Sequence, residues 1–334
     1  MRRAGRIADA ALEATIAGSF SRAGIAIRSR LLTEFTSDER PSLSGRVTIV
    51  TGATSGLGLA TAIGLAQRGG TVHFLARDRG RAASARQRII DASGNESVSY
   101  GLADLTDLDS VREFASGFTA SYNRLDVLIH NAGAMFDRYR VNAAGLELAY
   151  AGQVAGPFAL TTLLLPRLLA AAPSRVIVMS SGGMYAQPLA RSVAPMDAAG
   201  FRGTTAYARA KRAQVALSAE WARRFPAADI AFHAMHPGWA DTPGVAASLP
   251  NFRRVLGPAL RSADQGADTA VWLASSRPEV LGTGQFWHDR RPRREHLLGL
   301  ATLQDATQDA ALASALWDRL AVTTAVQPDR PDAR

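Results

Sequence analysis

The chain has no cysteine among its 334 residues, which excludes disulfides, thiolate chemistry and cysteine-ligated metal and suits a reducing compartment. It has no run of about 18 apolar residues, the length at which a helix crosses a bilayer. The apolar stretch 163–172 is interrupted by Pro166 and Arg167. The N-terminus lacks the uninterrupted apolar core and cleavage site of a signal peptide. Lysine is almost missing as well: of 38 basic residues, 37 are arginine and one, Lys211, is lysine. The net charge of +9 suggests nucleic acid at first sight, but the arginines are scattered, with only short clusters such as Arg290, Arg291, Arg293 and Arg294. No helix-turn-helix or zinc-finger spacing accompanies them, so no nucleic-acid partner is expected. No partner spacing around His130 or His236 suggests a metal, and each reads as a satisfied polar residue at a strand end.

The single lysine stands in an informative place. In TAYARAKRAQV, residues 205–215, Lys211 follows Tyr207 by four positions, which on a helix means one face, one turn on. An ammonium beside a phenol favours phenolate and lowers the tyrosine pKa from ~10 toward working pH. A group that gives and takes a proton requires this. A solvated surface lysine would be arginine here, as at every other basic position. A compact, tunable ammonium is kept where arginine cannot replace it.

With 47% hydrophobic residues, the chain can bury a sizeable α/β core. Residues 46–51 form a β-branched run that leads into Gly52, Gly56 and Gly58 and then a helical pattern over 59–67. Strand, glycine turn and helix together predict a phosphate-cradling loop that also contains Thr54, Ser55 and Leu57. Gly52 allows the tight turn, Gly56 lets backbone N–H groups approach a pyrophosphate, and Gly58 lets the helix pack close to the sheet. The second strand, 71–76, ends at Arg77, ahead of Asp78. An acidic residue there would hold the ribose of NAD(H), whereas an arginine accommodates a 2′-phosphate, so NADP(H) is favoured over NAD(H).

Further strands at 97–103, 125–130, 175–180, 229–235 and 283–287 alternate with helices at 79–92, 107–121 and 145–172, around Tyr207, and at 262–274. The alternation predicts a Rossmann-type doubly wound parallel sheet of about seven strands with helices on both faces. The connection from Thr242 to about 262 has lid character. The expected divisions are an N-terminal helical extension over 1–44, a Rossmann-fold domain over 45–290 and a C-terminal tail over 291–334. That tail carries one helix, 306–321, and reads as disordered after about 323. In the extension, Ala8, Leu12, Ile16 and Phe20 share a helical face, with Arg2, Arg6, Asp9 and Glu13 along a polar row. These helices are expected to pack on the domain or on a second subunit, the alternative being peripheral contact with a membrane surface.

Thr51, Gly52, Gly56 and Gly58, then Asp104-Leu105, Asn131-Ala132-Gly133, Ser181, Tyr207 with Lys211, and Pro237-Gly238 with Thr242 resemble, in this order, the short-chain dehydrogenase/reductase family. The resemblance covers roughly residues 44–290. Within the family, SSGGMY (180–185), YARAKRAQV and HPGWADTPG are similar to the dehydrogenase/reductase member twelve subgroup. The resemblance implies that Tyr207 is the general acid/base and that Lys211 binds the nicotinamide ribose and lowers the tyrosine pKa. It implies that Ser181 hydrogen-bonds the substrate oxygen, Asp104 and Leu105 flank the adenine, Asn131 steadies the sheet and Thr242 meets the carboxamide. A homodimer or homotetramer is also implied.

Two positions depart from the family pattern. Where the family usually has an asparagine in the helix after the Asn-Ala-Gly strand, this chain has Gln153, one methylene longer. Ser181 and Tyr207 lie about twice as far apart as usual, so an inserted loop at about 184–203 could cover the substrate mouth. Met135, Phe136, Met184, Tyr185 and Trp239 fall in loops expected above the nicotinamide. The sequence therefore reads as a cytoplasmic NADP(H)-dependent oxidoreductase acting on a lipophilic carbonyl or alcohol. The alternative is a non-catalytic NADP(H)-binding sensor or scaffold of the same fold, and membrane association through residues 1–44 stays open.

Overall fold

The computed structural model describes residues 2–32, 35, 41–277, 281–296 and 306–328. Val47–Thr51 (β1) opens an eight-stranded sheet with Thr71–Ala76 (β2), Val98–Leu102 (β3), Val127–His130 (β4), Ser174–Met179 (β5), Ile230–Met235 (β6), Gln285–His288 (β7) and Arg291–Pro292 (β8). The spatial order is β3-β2-β1-β4-β5-β6-β7-β8. All pairs are parallel except β7 with β8. The sheet thus has one strand more than expected, because two residues after the β7 turn are too short for a period-2 pattern. Strands β4 and β6 are buried along their whole length, as near-continuous apolar runs in a two-sided parallel sheet should be.

Helices Gly56–Ala66 (α4), Arg79–Ser93 (α5) and Ala263–Ser275 (α11) cover one face. Leu108–Ser121 (α6), Leu148–Ala170 (α7), Gly203–Arg224 (α8) and Ala306–Thr324 (α12) cover the other. α7 runs straight through Pro166 and Arg167, and it is long and apolar enough to cross a membrane by length and composition. Its most apolar window is 89% buried inside the protein, as befits a core helix. The C-terminal helix extends past residue 321: Leu316, Trp317 and Leu320 join the core and Thr324 is buried, so order continues beyond the expected limit. Residues 329–334 lie outside the described residues.

The N-terminal helices Arg2–Glu13 (α1), Ile16–Phe20 (α2) and Arg22–Leu31 (α3) pack against the β7–β8 edge, the first of the two expected placements. Their contact combines Phe20, packed on His236, Trp239 and His288, with a buried ion cluster. Buried Arg28 pairs with Asp9, Glu13 and Asp289 at 2.7, 2.8 and 2.7 Å. Arg293 and Arg291 also reach Asp9. The expected helical face is corrected here: Phe20 is buried as expected, but Asp9 from the polar row is buried too and Ile16 from the apolar row is 45% exposed. The helix breaks between Glu13 and Ile16, so one periodicity does not run through both pieces.

Candidate active site

In a doubly wound sheet, ligands bind where the strand order reverses, at the carboxyl ends of the strands. Here the reversal lies between β1 and β4. A cavity of about 640 Å³ opens there, lined by the residues that follow β1 to β6. Gly52, Thr54, Ser55, Gly56, Leu57 and Gly58 follow β1; Arg77 follows β2; Asp104 and Leu105 follow β3. Asn131, Ala132 and Gly133 follow β4, Ser181 follows β5, and Pro237, Gly238 and Thr242 follow β6. Gln153, Tyr207 and Lys211 complete the wall, so the candidate catalytic and cofactor-binding residues named from the sequence all face one space.

The glycine loop forms a cradle. Gly56 has φ +54°, and a Cβ there would come within 3.3 Å of the Thr242 Cβ. A Cβ on Gly58 would collide with the Gly52 carbonyl and the Asn131 amide. Ser55 stands at the N-cap of α4 without a side-chain capping bond, so the first N–H groups of the helix are left for an anion. Asn131 ties the end of β1 to β4, its Nδ2 donating to the carbonyls of Thr51 (2.9 Å) and Gly52 (3.2 Å). Gln153 donates its Nε2 to the Ala134 carbonyl at 3.0 Å, while its buried Oε1 has no partner among the described residues. A glycine cradle, an uncapped helix terminus and an orphaned amide oxygen fit an elongated dinucleotide.

At the far end of the cradle, Arg77 and Arg81 line the cavity, and Arg77 lies 3.9 Å from Asp104, with both side chains well exposed. Asp78 turns away to cap α5, accepting from the Arg81 N–H at 2.7 Å.

The reacting end contains Ser181, Tyr207 and Lys211. Ser181 Oγ accepts from the Gly183 N–H at 3.3 Å. Burial raises the Tyr207 pKa above its ordinary value, and a hydrogen bond with Ser181 acts in the opposite direction. Burial lowers Lys211 to about 7. Its Nζ lies 5.4 Å from the Tyr207 ring centroid and donates to the Met179 carbonyl (2.9 Å) and Gln214 Oε1 (3.0 Å). The expected lowering of Tyr207 by Lys211 is therefore absent from this form, because desolvation outweighs an ammonium held by other acceptors.

Met135, Phe136 and Trp239 line the outer cavity as expected, but Met184 and Tyr185 do not. Met184 is buried in a cluster with Val215, Ala234 and Phe286, and the Tyr185 hydroxyl donates to the Arg294 carbonyl at 2.9 Å. The insertion divides: Leu189 packs on Ala216 and Ala313, whereas Met196 and Phe201 pack in one cluster with Phe136. The mouth is instead covered by Pro243–Ser248 (α9), Pro250–Leu256 (α10) and Leu249 between them, which contribute Val245, Ser248, Leu249 and Phe252 and fit the expected lid. His130 bonds Thr161 at 2.7 Å, and His236 Nδ1 accepts from the Gly238 N–H at 3.2 Å; both read as structural. Two contributors escaped the sequence reading. Gln214, three residues past Lys211 and on its face, was detectable by helical spacing. The buttress behind Trp239, where the Phe20 carbonyl accepts from the Trp239 N–H at 2.8 Å, joins residues too distant in sequence to signal each other.

Fold and site together define an oxidoreductase scaffold with a nicotinamide-dinucleotide cradle. The short chain dehydrogenase family matches residues 46–251, and the chain belongs to it. Human dehydrogenase/reductase SDR family member 12 is 42% identical over 287 residues, 86% of this chain and 89% of that protein. Human retinol dehydrogenase 11 is 31% identical, over 83% of this chain and 85% of its own length. Among solved structures, the Pseudomonas aeruginosa RhlG/NADP active-site complex superposes with a TM-score of 0.60 at 26% identity, covering 73% of this chain and 94% of that one.

Proposed function

We propose that the protein is an NADP(H)-dependent carbonyl reductase or alcohol dehydrogenase for a lipophilic small molecule. The observation that carries this reading is the convergence of Ser181, Tyr207 and Lys211 on one cavity with the glycine cradle. The dinucleotide, when bound, supplies or accepts the hydride. The protein handles the proton: Tyr207 gives it to the carbonyl oxygen in reduction and removes it from the alcohol in oxidation. Ser181 hydrogen-bonds the same oxygen as charge develops, a contribution of roughly a few kcal/mol in comparable sites. Lys211 holds the ribose side of the site and carries the positive charge beside Tyr207. Gln153 stands where the family's proton-relay amide belongs, and its unpartnered Oε1 is suited to a bridging water.

Lipophilic specificity is supported by the outer wall of Met135, Phe136, Trp239, Val245, Leu249 and Phe252, and by a relative named for retinol, an apolar alcohol. NADP(H) preference is supported by Arg77 and Arg81 at the adenine end, by the withdrawal of Asp78 to a helix cap, and by the neighbour that binds NADP. Replacing Arg77 and Arg81 together by alanine should weaken NADPH binding by about tenfold or more, since a hydrogen bond to a charged group contributes ~1.5–3 kcal/mol. NADH binding should change little. Fluorescence titration with both cofactors checks this, and an equal loss for the two would refute the assignment. The reading extends to a homodimer or homotetramer in the cytoplasm. Exposed Ile7, Ile16, Ile27 and Leu31 beside exposed Arg22 and Arg30 support peripheral membrane contact by the extension.

The test is NADPH consumption with a panel of lipophilic aldehydes and ketones. Turnover establishes the enzyme. Binding of NADPH without turnover by any member favours the sensor or scaffold, for which Gln153 is the motivating residue.

A further inference from the structure

The π-helical turn Ala151–Ala155 interrupts the ordinary hydrogen-bond ladder of α7. Within it, the Gln153 carbonyl accepts from Gln214 Nε2 at 2.7 Å. The other end of the same amide, Gln214 Oε1, accepts from Lys211 Nζ at 3.0 Å. One buried side chain therefore joins the π turn to the lysine. Both polar atoms of Gln214 are satisfied, and the residue is 3% exposed. Its amide orientation is fixed by these neighbours, because a carbonyl must meet the N–H end and an ammonium the oxygen end. Ser180 adds a second anchor, its Oγ donating to the Lys211 carbonyl at 2.9 Å.

We propose that Gln214 is a positioning residue for Lys211, its side-chain amide serving as a fixed bracket between the π-turn carbonyl of Gln153 and the ammonium that faces Tyr207. The proposed oxidoreductase reading supplies the reason for such a bracket, although the bracket itself rests only on the geometry. Lys211 is 2% exposed, and its charged form is maintained by two acceptors, one of which is Gln214. The titratable groups facing it are Tyr207 on its own helix and His130 on β4. From β5 it receives only the Met179 carbonyl, and from the π turn only amide groups. Removing the Gln214 oxygen disfavours the ammonium, while a carboxylate in its place favours it.

The near-absence of lysine makes this directly measurable. Lysine labelled with carbon-13 at Cε gives a single side-chain signal in the full-length protein, because Lys211 is the only lysine. The wild-type signal should titrate near the midpoint of about 7. In Gln214→Leu the midpoint should fall by about one pH unit, and in Gln214→Glu it should rise by about as much. Turnover that needs the ammonium is lost as pH rises through this midpoint, so the basic limb of the kcat profile should move down in the first variant and up in the second. The substrate KM should hold. A glutamine that merely fills the core would shift both variants the same way or neither, and either result overturns the proposal. Should Gln214→Leu fail to fold, Gln214→Glu decides alone, since only an oxygen facing the ammonium raises its midpoint. Opposite shifts in a protein that turns over no carbonyl would keep the bracket and reject the enzyme reading.

Discussion

Tyr207→Phe is expected to lower kcat for carbonyl reduction by at least about a hundredfold, the scale of a lost general acid, while NADPH binding persists. The substitution removes one oxygen and leaves the ring, so the packing of α8 and the 5.4 Å approach of Lys211 to the ring are preserved. What disappears is the proton donor and the hydroxyl bonded to Ser181. Folding should not suffer, because burial already disfavours the tyrosine's charged form and phenylalanine has no polar group to desolvate. The cradle from Gly52 to Gly58 lies on a different strand end and is untouched. Stopped-flow NADPH oxidation beside fluorescence titration of NADPH checks both halves. Undiminished turnover would remove Tyr207 from the chemistry. Loss of NADPH binding would mean that the ring's position, rather than its hydroxyl, had been disturbed.

The parts of this site that were legible in the sequence are local ones. Gly52, Gly56 and Gly58 follow a β-branched strand and precede a helix, and the local backbone alone makes that turn a cradle. Tyr207 and Lys211 share a helix turn, so their partnership depends on spacing that the sequence prints. The illegible parts are tertiary. The ionisation of Tyr207 depends on burial by neighbouring elements, which its spacing from a lysine does not reveal. Met184 and Tyr185 follow Ser181 closely, yet the 3-10 turn Gly182–Ala186 carries them behind the cavity wall. Asp9 looks like a solvated residue in a basic amphipathic helix. Its partners Arg291 and Arg293 are about 280 residues away, and only the fold makes it a buried counter-ion.

That assembly yields the second large effect: Asp289→Ala should destabilise the protein by ~3–5 kcal/mol, the usual cost of removing one partner from a buried ion cluster. Asp289 is 1% exposed and accepts from Arg28 Nη1 (2.7 Å) and from Arg261 Nη1 (2.6 Å) and Nη2 (2.9 Å). Without its carboxylate, two buried guanidiniums are left facing each other. Asp289 and Arg290 also form the two-residue turn between β7 and β8, with φ of 51° and 57°, a left-handed pair for which aspartate is far better suited than alanine. The damage would reach the site, because Arg261 also donates to the Pro237 and Phe20 carbonyls behind the cofactor-facing loop. Acid should act on the same cluster. Burial opposes ionisation of Asp9, but its bonds to Arg293, Arg291 and Arg28 hold its carboxyl well below the usual range. A depressed carboxyl contributes stability above its unfolded value of ~3.9 and loses it as pH falls below that point. Urea unfolding at neutral pH measures the substitution, with Arg253→Ala, which removes the exposed pair with Asp241, as a control expected to leave the midpoint in place. A loss for Asp289→Ala below ~0.5 kcal/mol, the size of an ordinary surface change, would mean that the extension is held by its apolar contacts around Phe20 and that the charges are incidental.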